Sequence, residues 1–269
     1  MKDIKRSEGR MALIFGPTGV GKSASSLDSL PEPILNLYTE DRNPYIAIEG
    51  LNREIDFDPK CPENNQDLID YLYELVDQVE KGTCKYNSVL FDSSSFWMNI
   101  KLYGEMVDET KNAKTFGKNL RPLIDEVRAD EALYGALAER MQRLIKPFKL
   151  MSQNGMIVVW IAYLMEHPKW DKSLAAAPNY IGKAWNTNYE QHFDVIGFIQ
   201  HNLKKDKEGN DTVPQEIIYP PIIQVKSPDD SVICKWTGRN ITGNSYPLDF
   251  KKMFGIKEKE DKSKDKIPF

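Results

Sequence analysis

Gly16, Pro17, Thr18, Gly19, Val20, Gly21, Lys22 and Ser23 match the pattern G-x-x-x-x-G-K-[ST] in full. The chemistry of polyphosphate binding needs these residue types at this spacing. Glycines let the backbone wrap until its N–H groups point inward at the α- and β-phosphates, and the helix that follows adds its positive N-terminal end. Lys22 is spaced to reach the β- and γ-phosphates, and the Ser23 hydroxyl is a ligand for Mg²⁺. Residues Gly16 to Ala24 are therefore expected to hold ATP with Mg²⁺.

Such a loop needs a second oxygen ligand near the metal and a group that orients the attacking water. Asp92 closes the apolar run Ser88-Val-Leu-Phe91, the pattern of an acid at a strand end that holds Mg²⁺. Glu40 follows the apolar run Ile34–Tyr38. In a parallel sheet, strand C-terminal ends converge beside the loop, so Glu40 is expected there as the water-activating carboxylate. Its neighbour Asp41 competes for that role.

The elements that must position these residues follow from the apolar pattern. Met11–Phe15 reads as a buried strand broken at Gly16-Pro17, and Lys22 to Leu30 as a helix stopped by Pro31 and Pro33. Ile34–Tyr38 is a second strand and Arg53–Phe57 a third, exposed one. Leu68, Ile69, Leu72, Leu75, Val76 and Val79 fall on one helical stripe, with an Asn cap before it and Gly82 after it. Residues 99–132 are charge-rich and read as an inserted, partly helical excursion. Leu133, Leu137, Met141, Leu144, Ile145 and Phe148 define another amphipathic helix, and Met156–Ala162 a fully buried strand. Strands alternating with helices imply an α/β fold, a mostly parallel sheet flanked by helices. Phe193–Leu203, Gln215–Val225 and Val232–Trp236 are expected to extend it as antiparallel strands. Residues 1–250 thus form one domain, and 251–269 a short helix running into a charged tail.

Composition narrows the function classes. The chain has 269 residues, 28% charged and 41% hydrophobic, which suits a globular α/β domain rather than a disordered chain. Cys61, Cys84 and Cys234 form no CxxC pair, and His167, His192 and His201 show no ligand spacing; a disulfide framework or a metal cage is not expected. No apolar run approaches the ~18 residues of a membrane span, and MKDIKRSEGR lacks a secretory apolar region. A cytoplasmic location, without membrane partners, is the expectation. A net charge of -4 argues against a uniformly basic nucleic-acid surface but leaves room for a local cationic groove.

With these motifs in view, the sequence resembles the RecA-type branch of P-loop ATPases. It is most similar to the phage nucleotide-binding proteins that act in single-strand annealing or recombination. The likeness rests on the loop, on Leu37-Tyr-Thr-Glu40, and on Val89-Leu-Phe-Asp92-Ser93-Ser94. It continues through Pro178-Asn-Tyr-Ile-Gly-Lys183 and Phe193-Asp194-Val-Ile-Gly197 to Cys234-Lys235-Trp-Thr-Gly-Arg239. The resemblance implies a RecA-like fold and an ATPase stimulated by single-stranded DNA. It also implies a homo-oligomeric ring or filament, in the host cytoplasm if phage-encoded, with a single-strand binding protein as a further partner. Glu40, Lys22 and Asp92 become catalytic, and Lys235 and Arg239 become cations acting on a neighbouring subunit's nucleotide. One departure stands out. The family usually places a polar Gln or His after the central strand, where this chain has Tyr163 and Leu164.

The stretch His167–Tyr189 contains Lys169, Trp170, Lys172, Tyr180, Lys183, Trp185 and Tyr189. Cations that track a backbone and aromatics that stack on bases are the ingredients of single-strand binding. The bland alternative is that these aromatics cover the sheet edge. Two other functions compete: a nucleotide-dependent assembly protein without appreciable hydrolysis, and a small-molecule P-loop kinase. A kinase wants arginines over the phosphates, and the 99–132 segment offers Arg121 and Arg128.

Overall fold

The computed structural model describes residues 9–112, 131–206, 208–209, 211–212, 215–237 and 243–256. Strand β1 (Arg10–Gly16) leads through the glycine loop into helix α1 (Lys22–Ser29), then β2 (Ile34–Tyr38), a 3-10 turn (Pro44–Ile48) and β3 (Phe57–Lys60). Helix α2 (Asn65–Lys81) and β4 (Ser88–Asp92) follow. A continuous helical stretch then runs through α3 (Ser94–Phe96), a π-helical turn (Trp97–Leu102) and α4 (Tyr103–Asn112). After α5 (Glu131–Gln153) come β5 (Ile157–Glu166), β6 (Ala176–Pro178), α6 (Lys183–Asn186), β7 (Val195–Leu203), β8 (Ile217–Gln224), β9 (Lys235–Trp236), β10 (Ser245–Pro247) and α7 (Phe250–Phe254).

The main sheet has the order β10-β8-β7-β1-β5-β4-β2-β3, with β6 paired to β5 and β9 to β7. From β3 through β1 every neighbouring pair is parallel. Parallel strands are buried on both faces; β1 and β4 accordingly carry the unbroken apolar runs Met11–Phe15 and Val89–Phe91, and β2 is buried throughout, with Asn36 its one polar residue. One face is covered by α2 and α5, whose Leu72, Leu75, Leu144 and Phe148 share one buried cluster with Phe91, Trp160 and Phe193. The other is covered by α1 and α7 through Leu27, Phe250 and Met253. Phe148, Phe91 and Phe193 surround Trp160 with centroids 5.1–5.5 Å away, edge contacts worth about 0.5–1.5 kcal/mol each beyond burial.

Helix α2 starts and stops where its caps dictate. The Asn64 side chain accepts from Asp67 N–H, and Gly82 takes the left-handed conformation at φ +70°. Several expectations need correction. The third strand is Phe57–Lys60 rather than Arg53–Phe57, because Arg53 is drawn to Asp28 and Glu32 by ion pairs and holds its stretch as a loop. Strand β7 pairs antiparallel with β8 and β9 as expected, but joins the rest of the sheet parallel to β1; the long connection through β6 and α6 lets the chain return in the same direction. Among the described residues, the antiparallel pairs are β7–β8, β7–β9, β8–β10 and β5–β6. Within the 99–132 excursion, residues up to 112 and from 131 belong to helices continuous with the core, joined by Arg140 and Glu109. Arg121, Arg128 and the tail from 257 onward lie outside the described residues. No described helix is long and apolar enough to cross a membrane.

Candidate nucleotide-binding site

Sheet register brings the singled-out residues to one edge. Gly16 pairs with Tyr163, and Asp92 pairs with both Tyr38 and Ile161. The C-terminal ends of β1, β5, β4 and β2 therefore lie side by side, and Glu40 follows two residues after Tyr38. A cavity of about 340 Å³ opens there, lined among others by Thr18, Lys22, Ser23, Glu40, Asp92 and Tyr163.

The loop needs its glycines for two distinct reasons. At Gly16 a Cβ would stand 2.4 Å from the Ile199 carbonyl oxygen of β7, so the strand end tolerates only glycine. Gly21 caps α1 at φ +89°, a left-handed conformation that L side chains rarely adopt. The turn delivers Lys22 and Ser23 into the cavity at the start of α1.

Lys22 is buried, and its ammonium donates to the carbonyls of Gly16 (2.8 Å) and Pro17 (2.7 Å). Burial lowers its pKa to about 8 against the opposing pull of Asp92 and Glu40. The Ser23 hydroxyl donates to Asp92 Oδ2 at 2.6 Å. Asp92 is 5% exposed, and burial raises its carboxyl to about 6, with the Ser23 bond pulling it down and Glu40 pushing it up. A hydroxyl and a carboxylate at this separation are a hard-oxygen pair suited to Mg²⁺. The buried cation beside them suits a phosphate chain. The residues present fit ATP with Mg²⁺.

Glu40 is 7% exposed. One carboxylate oxygen accepts from Arg42 and the other from the Tyr163 hydroxyl, both at short range. Asp41 points out at 85% exposure and pairs with Lys101. Burial separates the two candidates, and Glu40 is the one that faces the cavity. Thr39 locks β2 to β4: its hydroxyl donates to the Ser93 carbonyl and accepts from Ser93 N–H, both at 2.9 Å. Sequence reasoning missed Arg42 and read Tyr163 only as a departure. The run Ser93-Ser94-Ser95 directly after Asp92 was the available signal, since buried hydroxyls at a strand end need partners.

The remaining residues are not gathered here. Lys235 pairs on β7 opposite Ile196, which neighbours Leu13 on β1. That is three residues, or roughly 10 Å, along β1 from Gly16, and its ammonium donates to the Glu190 carbonyl at 2.8 Å. It does not reach the nucleotide cavity of its own chain. Arg239 lies outside the described residues. Lys169, Lys172 and Lys183 are exposed. Trp185, however, is fully buried, edge-on to Tyr180 and stacked on His192, and Trp170 is half-buried against the core. Trp185 is therefore corrected from a base-stacking candidate to a packing residue: its apolar face gains more from the core than from solvent.

A scan against protein-family models and a search of curated proteins find no match. The site is read from its own geometry.

That geometry makes Asp92 testable. A carboxyl raised from 3.8 to about 6 disfavours the folded, ligand-free protein as pH rises through 6, and not below 3.8. Asp92→Asn removes the charge while keeping an acceptor for Ser23. The ligand-free variant should be more stable than wild type at pH 8 by about 1–3 kcal/mol, with the gap closing toward pH 4. Thermal denaturation across that range reads it; a gap independent of pH would mean that the Asp92 carboxyl titrates in the folded protein as it does in the unfolded chain. Mg²⁺ should then add little to the variant's ATP affinity.

Proposed function

We propose that this chain is a RecA-like ATPase that binds and hydrolyses ATP and acts on single-stranded DNA in phage-type annealing or recombination. The observation that carries the ATPase part is the convergence of three strand ends on one cavity: the loop with Lys22, the Ser23–Asp92 pair, and the buried Glu40. ATP with Mg²⁺ supplies the phosphoanhydride and the metal that spreads its developing charge. Lys22 balances phosphate charge, Ser23 and Asp92 hold the metal, and Glu40 orients and deprotonates a water. Lys169, Lys172 and Lys183 offer cations to a nucleic-acid backbone, without the stacking contribution of Trp185. Lys235 and Arg239 act across a subunit boundary in a homo-oligomer, since Lys235 is turned from its own cavity.

A second reading is a nucleotide-gated assembly protein with little hydrolysis. It is favoured by the engagement of both Glu40 oxygens by Arg42 and Tyr163. Phosphate release from ATP and Mg²⁺, with and without single-stranded DNA, separates the two. The ATPase reading expects release that DNA stimulates, together with a larger elution size when both ligands are present. ATP binding with no release, DNA present or not, would replace it with the assembly reading.

A further inference from the structure

We propose that Tyr163 is a positioning residue for hydrolysis: its hydroxyl sets the orientation of the Glu40 carboxylate and ties it to the segment that follows β6. This rests on the ATPase reading of the same site.

Glu40 has two partners of different character. Arg42 is 60% exposed and only two residues away, so water and salt compete with its hold. Tyr163 comes from another strand, 123 residues distant in sequence. Burial, then the bond to Glu40, raises its pKa, so the phenol remains a donor throughout the neutral range. A carboxylate has about four acceptor positions. One oxygen fixed by the Tyr163 hydroxyl leaves the other positions aimed in set directions, which is what a water-orienting group needs.

Tyr163 is itself framed on both sides. Its N–H donates to Ser95 Oγ at 2.8 Å, and its carbonyl accepts from Asn179 N–H at 2.8 Å. Asn99 then clamps the next residues: its side-chain N–H donates to the Asn179 carbonyl (2.9 Å) and its oxygen accepts from Ile181 N–H (3.0 Å). Ser94 Oγ lies 2.7 Å from the Tyr180 hydroxyl and donates to the Ile161 carbonyl at 2.8 Å. These serines belong to the run Ser93-Ser94-Ser95 that follows Asp92. One hydrogen-bonded frame thus joins the metal-site acid, the water-orienting acid and residues 179–181, two residues before the exposed Lys183. A shift of residues 179–181 would move the Tyr163 carbonyl and, through the ring, Glu40.

The experiment is steady-state phosphate release by the full chain carrying Tyr163→Phe, which keeps the ring and removes the donor. The expected result is a kcat about 10–100-fold lower, a KM for ATP within about threefold of wild type, and an unchanged far-ultraviolet spectrum. In the Glu40→Gln background the same substitution should cause no further fall. An unchanged kcat, a loss carried by KM instead, or an undiminished effect in the Glu40→Gln background would each overturn the proposal. Wild-type protein that binds ATP but releases no phosphate would remove the ATPase reading and this inference with it. Brisk wild-type turnover indifferent to Tyr163→Phe would remove this inference alone.

Discussion

Lys22→Ala is expected to weaken ATP binding by roughly 10²–10³-fold and to abolish measurable phosphate release. Each charge-assisted hydrogen bond is worth about 1.5–3 kcal/mol, and an ammonium at this position has two phosphates within its reach by the spacing of the loop. Removal also leaves the Gly16 and Pro17 carbonyls, which Lys22 now caps, facing the phosphate chain with their negative ends. The variant should fold. Burial already disfavours the charged amine, lowering it to about 8, so the loss of a penalised cation offsets the loss of its two carbonyl contacts. The ligand-free melting temperature should equal or exceed that of wild type. A proton signature accompanies binding: between pH 8 and 10 the free amine is largely neutral, and polyphosphate restores its charge, so ATP binding takes up a proton there. Calorimetry in buffers of different ionisation enthalpy measures both quantities. Wild-type affinity in the variant, or no proton uptake, would detach Lys22 from the nucleotide.

The second large effect is expected at Glu40. Glu40→Gln should lower kcat by about 10²–10³-fold, within the usual range for a lost general base, while ATP affinity stays within about threefold of wild type. Glutamine keeps the volume and can accept from Arg42 through its oxygen while its amide donates to the Tyr163 hydroxyl, so both partners remain satisfied. Asp41→Asn is the matched comparison, because Asp41 is 85% exposed and turned to Lys101; its turnover should be near wild type. Single-turnover phosphate release on both variants decides the assignment. Equal losses, or a loss only in Asp41→Asn, would move the catalytic role off Glu40.

Much of the site was legible because it is local. Gly16 to Ser23 are contiguous, and their glycines are required by a close approach to Ile199 and by the left-handed cap of α1; sequence carries such constraints directly. Asp92 was legible from the end of an apolar run, and α2 from its stripe and caps. The boundaries failed where a long-range partner intervened. Arg53 read as the start of an exposed third strand, yet its ion pairs with Asp28 and Glu32 keep it out of β3. Trp185 and Tyr180 sat among lysines in sequence and read as a binding surface, although packing buries both.

The sequence by itself determined the glycine loop after the first strand, the acids at two strand ends, and an α/β alternation that forces a mostly parallel sheet. Tertiary structure alone decided which acid faces the cavity, that β7 runs parallel to β1, and that Tyr163 closes on Glu40. The physical reason is range. A loop conformation depends on neighbouring φ and ψ angles and on which residues tolerate them. A carboxylate's partners depend on strand order and register, and residues 123 apart in sequence meet only once β1, β5, β4 and β2 lie in register.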